Sequence, residues 1–91
     1  MLENGLTRFL AGALGQYGIT VNAIAPGMVS SPATVALVSP AERRAFTERT
    51  ALRRELTVED TVGALLYLAS DDGACMTGQV LVVDAGLVML G

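Results

Sequence analysis

Gly18-Ile19-Thr20-Val21-Asn22-Ala23-Ile24-Ala25-Pro26-Gly27 is the stretch whose reading decides the fold. From Ile19 to Ala25 it places Val21, Ala23 and Ala25 on one face and Ile24 among those on the other. Apolar residues on both faces predict a parallel strand covered on two sides. Asn22 is the polar exception, and its side chain is expected to bond neighbouring backbone. Pro26 stops the ladder and Gly27 carries no Cβ, so the strand ends abruptly.

Working outward, Leu6, Phe9, Leu10, Ala13 and Leu14 fall at i, i+3, i+4, i+7 and i+8, one stripe of an amphipathic helix. Gly15 and Gly18 end it, the second as a left-handed cap. After Gly27 a run of Ser, Pro, Thr and small apolar residues reads as a mobile connection through Val38. Ser39-Pro40-Ala41-Glu42 then starts a helix, with Ser as N-cap and Pro at the first helical position. Arg43, Arg44, Glu48 and Arg49 make that helix polar, and Phe46 is its main anchor. Thr57-Val58-Glu59-Asp60 starts another helix, whose apolar side is Val62, Leu65, Leu66 and Ala69 and which Asp71-Asp72-Gly73 closes. Thr77-Gly78 turns into Gln79-Val80-Leu81-Val82-Val83-Asp84, a β-branched strand. The order is helix, strand, short helix, helix, strand, and its strand-helix-strand part predicts a right-handed parallel crossover. There is no internal repeat or low-complexity tract.

Ninety-one residues make one small domain, too short for a complete dinucleotide-binding sheet. The chain is 52% hydrophobic, more apolar material than so small a domain hides by itself. Some of it is therefore expected to meet other protein. The net charge is −3, every cation is an arginine, and with no lysine or histidine and few aromatics no nucleic-acid partner is expected. No basic, apolar leader or long apolar span opens the chain, so no membrane partner is expected either. A single cysteine, Cys75, excludes an intrachain disulfide and fits a reducing cytoplasm. Between Ala74 and Met76 it reads as a small buried filler. No metal-ligand pattern is present.

Four pieces of the chain, in order, resemble the last third of the short-chain dehydrogenase/reductase family, in particular its 3-oxoacyl reductases. Leu6-Thr7-Arg8 and Leu10-Ala11 look like a family helix, and Gly18 through Val29 looks like its sixth strand and cofactor-facing turn. Leu66-Tyr67-Leu68-Ala69-Ser70-Asp71 resembles the end of its last long helix, and Thr77-Gly78-Gln79 with Val82-Val83-Asp84-Ala85-Gly86 resembles its final strand. The fold class implied is α/β, the C-terminal part of a Rossmann-type doubly wound parallel sheet. Residues 1–91 would then form a partial NAD(P)-binding domain, incomplete on its own.

Ligands of open α/β sheets lie at the carboxyl ends of strands, where Pro26-Gly27 falls. The resemblance implies that Pro26, Gly27, Met28 and Val29 face the nicotinamide carboxamide of NAD or NADP in the intact fold. Ser31 stands where many relatives carry Thr, and would offer the cofactor a hydroxyl. The resemblance also implies reversible hydride transfer between a cofactor and a ketone, alcohol or 3-oxoacyl group. Relatives supply the proton from a Tyr-x-x-x-Lys pair, because a tyrosine near pKa ~10 needs a cation beside it. No lysine is present here, and Tyr17 and Tyr67 stand in helix-end contexts. Gly12, Gly15 and Gly18 read as helix punctuation rather than a phosphate loop. No catalytic residue is therefore assigned, and the chain alone is expected to bind no cofactor and to be inactive.

The expected partners are a missing N-terminal part or homologous subunits, in a homo-oligomer. An alternative is a non-enzymatic oligomerisation or interaction module derived from the same fold. Segment 30–56 corresponds to the part that covers the substrate in relatives. Ala85 replaces the first glycine of the family's usual Asp-Gly-Gly, at a cost of about 1 kcal/mol if that position needs a positive φ.

Overall fold

The computed structural model describes residues 2–89, with side chains from Asn4 onward. The chain runs as α1 (Leu2–Leu14), a 3-10 turn (Gly15–Tyr17), β1 (Ala23–Pro26), α2 (Pro32–Leu37), α3 (Pro40–Glu48), α4 (Val58–Ala69), a second 3-10 turn (Asp71–Gly73) and β2 (Val80–Val83). β1 and β2 pair in parallel, with Ala23 opposite Val80 and Pro26 opposite Val83. Helix α4 packs on both strands and α1 packs on β1. Ile24 shares a cleft with Leu65, Leu68 and Ala69, so α4 covers its face. Ala25, Val80 and Val82 line the opposite face with Asn4 of α1. Helices therefore flank the sheet on both sides, as the apolar residues on both faces of β1 require.

Local chemistry explains most element ends. Gly18 takes φ 74° and donates its N–H to Gly15 O, the left-handed cap expected of it. Ser39 Oγ accepts from Glu42 N at 3.2 Å with Pro40 at the first helical position. The carboxylate of Asp60 reaches back to the Thr57 N–H at 2.7 Å, closing the start of α4. Arg54 donates to the same carboxyl group at 2.8 Å. The backbone bond from Thr57, and then that of the Arg54 guanidinium, hold Asp60 below the usual carboxylate range.

Four expectations are corrected. The segment after Gly27 is not an irregular connection: residues 32–37 form a helix, so the order carries one more element than periodicity indicated. Ser31 Oγ accepts from Thr34 N, and Pro32 opens the helix, repeating the Ser-Pro start found at Ser39-Pro40. The first strand begins at Ala23, not Ile19. Val21 N donates to the Thr77 hydroxyl at 3.0 Å while Val21 O still accepts from Gly78 N at 2.8 Å, so a side chain replaces one half of the pairing there. The Asn22 amide donates to Met76 O at 2.9 Å, and its carbonyl accepts from Gln79 N at 3.1 Å. That is the backbone-bonding role expected of Asn22, and it ties the entry of β1 to the turn before β2. The last strand is also shorter than Gln79–Asp84, ending at Val83 because Asp84 turns its carboxylate to the following backbone. Finally, Cys75 is exposed rather than buried. In its turn the buried residue is Gly73, where a Cβ would lie 2.6 Å from Tyr67 O and 3.0 Å from Leu68 Cα.

The fold leaves much of its apolar surface uncovered. The accessible surface is 6412 Å², against roughly 5,000 Å² for a compact monomer of this mass. The radius of gyration is 15.3 Å where about 12 Å is typical of this length. Among the described residues the buried apolar side chains are Ala11, Leu56 and Ala85, and no large side chain is fully enclosed. Phe9 is 70% exposed on α1, and Leu66 is 63% exposed on α4. Val62, Leu65 and Leu66, the apolar side read for α4, are all exposed.

Candidate functional site at the strand ends

Because β1 and β2 run in parallel, their carboxyl ends lie side by side, bringing Pro26-Gly27 against Val83-Asp84. Contrary to expectation, Pro26 does not stop the ladder: it pairs with Val83. Proline lacks only its own N–H, and the Gly27 N–H carries the ladder one step further by donating to Val83 O at 2.9 Å. A Cβ at Gly27 would lie 3.0 Å from Asp84 Cβ and 3.3 Å from Leu56 Cδ1. Glycine suits the position because any Cβ would press on Asp84 and Leu56 and make them give. The residue thus has a structural reason of its own, apart from any ligand.

Asp84 is 9% exposed, and its carboxylate accepts three backbone N–H groups: Gly86 at 2.9 Å, Leu87 at 3.2 Å and Val88 at 3.1 Å. Such charge-assisted bonds are stronger than neutral ones. They fold the segment after β2 back against Gly27. The turn requires φ 58° at Ala85 and 81° at Gly86, so alanine sits in the left-handed region and bears the expected cost. Ala85 O accepts from Leu52 N at 2.9 Å, and Gly86 O accepts from Ala51 N at 3.2 Å. The C-terminal turn is thereby clasped to the segment after α3.

The turn from Gly27 to Ser31 is held at a second point. Val29 forms a parallel bridge with Leu56, and Ser30 N donates to Leu56 O at 2.7 Å. Ser31 N donates to Val29 O at 2.9 Å. With Ser30 directed at Leu56, the alternation of extended backbone turns the preceding N–H of Val29 the other way. No hydrogen bond engages that N–H among the described residues. Segment 30–56, carrying α2 and α3, is consequently closed at its neck.

Of the sequence-predicted site residues, Pro26, Gly27, Met28 and Val29 form one continuous turn at the sheet's carboxyl edge. Pro26 is exposed, and the other three are half-buried. Beside them lies an open groove of about 490 Å³, lined by Asn4, Ala25, Pro26, Gly27, Val82 and Leu87 among others. Ser31 follows the turn, but its hydroxyl caps α2, accepting from Thr34 N and lying 3.2 Å from Thr34 Oγ1. Met28 meets Ser30, Thr34, Arg43, Thr47 and Glu55 around a narrow gap of about 10 Å³.

Sequence reasoning missed Asp84, Leu56 and Arg43 as neighbours of this turn. An acid ending the β-branched run, just before Ala85-Gly86, was the available signal for Asp84; no local signal marks the other two. Among the described residues, no group of three or more His, Cys, Asp and Glu is placed to hold a metal ion. No helix among them is long and apolar enough to cross a membrane.

Comparison with known proteins agrees with this arrangement. Residues 3–88 match a family model described as enoyl-(acyl carrier protein) reductase. A protein of Rhizobium meliloti named as a probable galactose dehydrogenase is 45% identical over 84 residues, which are 91% of this chain and 33% of that protein. The crystal structure of a 3-oxoacyl-[acyl-carrier protein] reductase from Brucella melitensis superposes with a TM-score of 0.91 at 35% identity. The match covers 98% of this chain and 33% of that one. A 4-hydroxyisoleucine dehydrogenase mutant complexed with NADH and succinate superposes with a TM-score of 0.85 at 29% identity, over 93% of this chain and 35% of its own. The chain thus spans about a third of the length of the relatives it matches.

Proposed function

This chain belongs to the short-chain dehydrogenase/reductase family, and from that premise we propose that it is the C-terminal segment of an NAD(P)-dependent oxidoreductase acting on a ketone, alcohol or 3-oxoacyl group. The observation that carries this reading is the Pro26–Val29 turn at the carboxyl edge of the parallel sheet, with an N–H at Val29 that no hydrogen bond among the described residues engages. A flat carboxamide needs such a donor beside a backbone approachable on one side. The residues present fit the nicotinamide end of NAD or NADP, which supplies or accepts hydride when bound. A complex of a relative with NADH supports the same cofactor class.

This segment's part is to orient. Val29 offers its N–H, Pro26 and Gly27 form the wall, and Asp84 holds that wall by folding the following turn against Gly27. Neither a Tyr-x-x-x-Lys pair nor a glycine-rich phosphate turn occurs in these 91 residues. The chain by itself is therefore inactive in this reading and binds no cofactor on its own. The test is to mix the purified chain with NADH or NADPH and a panel of ketones. The expected result is no loss of absorbance at the cofactor's band; turnover would overturn the assignment. The intact mass of the native species, detected through this segment, adds the second half: a much larger species carries the missing pair.

A second reading is favoured by one observation, the uncovered apolar stripes of α1 and α4. In it the segment is an interaction module that pairs with a homologous subunit. A chain that stays monomeric and cooperatively folded at high concentration removes that reading.

A further inference from the structure

Away from the strand ends, α3 and the segment after it enclose an open cavity of about 450 Å³ lined by Pro40, Arg43, Arg44, Thr47, Glu48, Arg53 and Glu55. Three guanidiniums there face two carboxylates. We infer that this cavity binds an anionic group, a carboxylate or phosphate, carried by the substrate. The inference rests on the oxidoreductase reading only for the word substrate.

Three observations support it. First, Arg43 is under-engaged. Its Nε is buried without a hydrogen-bond partner, and its Nη1 lies 3.8 Å from Glu55 Oε1, beyond hydrogen-bond length. A buried donor left in that state favours an arrangement in which an acceptor reaches the guanidinium. Second, Arg53 is held at φ 52°, a conformation that costs a side-chain-bearing residue free energy. What holds it is a chain of threonine bonds starting at Arg43. Thr47 Oγ1 donates to Arg43 O, Thr50 Oγ1 donates to Thr47 O, and Arg53 N donates to Thr50 Oγ1, at 2.8, 2.8 and 3.0 Å. Thr50 is buried, so the position of Arg53 relative to Arg43 is set by packed structure. Third, Arg43, Thr47 and Glu55 also wall the narrow gap that touches Met28 and Ser30. The cavity therefore adjoins the turn that carries Met28, through side chains the two share. Planar guanidiniums suit carboxylate and phosphate oxygens, which accept two parallel bonds.

The test uses the isotopically labelled 91-residue chain, titrated separately with succinate and with inorganic phosphate while amide resonances are followed. Saturable shifts confined to α3 and residues 53–55 are expected. Arg53→Gly keeps the left-handed backbone comfortable while removing the charge, and should weaken binding about tenfold. Arg8→Gln, on α1 and outside the cavity, should leave it unchanged. Tighter succinate assigns a carboxylate-ended small substrate, and tighter phosphate assigns a phosphate-bearing carrier arm. No saturable shift, or equal affinity in the Arg53→Gly and Arg8→Gln variants, overturns the inference. Hydride transfer enters none of these readouts, so their failure leaves the oxidoreductase reading standing.

Discussion

The ends of the two strands and the outer faces of α1 and α4 are built to opposite standards. At the strand ends nearly every polar group is answered within the chain: Asn22 serves two backbone groups, Asp84 serves three, and Gly27 leaves room for Asp84. On the helices, Phe9 and Leu66 stay largely exposed among the described residues. Hydrogen bonds are short and directional, so a few residues can complete them. Apolar burial scales with area, and two strands with four helices do not supply that area. The site can thus be assembled locally while the helices leave apolar area uncovered.

Substitutions at the finished end should be the most damaging. Asp84→Ala removes three charge-assisted bonds from a buried turn and is expected to cost about 3 kcal/mol. Hydrogen exchange at Gly86, Leu87 and Val88 should accelerate accordingly. If it does not, the strand ends are no better built than the helices. Gly27→Ala brings a methyl to 3.0 Å from Asp84 Cβ and should cost about 2 kcal/mol in urea unfolding. Ala85→Gly acts in the other direction, relieving φ 58° and raising stability by about 1 kcal/mol.

Acid sharpens the comparison at a third point. The pKa of Asp60 is lowered from 3.8 by the Thr57 N–H and Arg54, so its contribution is present above that value. The contribution is lost as pH falls through the lower folded-state pKa. An Asp60→Asn variant should therefore show a flatter acid limb when unfolding is followed below about pH 4. The smallest effect belongs to the helices: Leu66→Ser on α4 should change stability by less than about 0.5 kcal/mol in the isolated chain. A loss several times larger would show that a second copy already covers that face.

Much of this molecule was legible residue by residue. The stripe from Leu6 to Leu14, the cap at Gly18, the starts at Ser39 and Thr57, and the β-branched run from Val80 are written in spacings of a few residues. The helix at Pro32–Leu37 was equally local, but its Ser31-Pro32 start lies within the run of Ser, Pro, Thr and small apolar residues read as a mobile connection. Resemblance to one family located the turn at Pro26–Val29. What it assigned to Ser31 is complicated by the hydroxyl's engagement at the cap of α2.

The sequence by itself determined the elements, their order after one correction, the absence of lysine and the family. Tertiary structure alone decided that Gly27 is small because of Asp84, that Val29 is bridged to Leu56, and that Arg43 and Arg53 share a cavity. Caps, periodicity and β-branching act between near neighbours along the chain. The later pairings join residues that only the parallel sheet and the closed neck of segment 30–56 bring together.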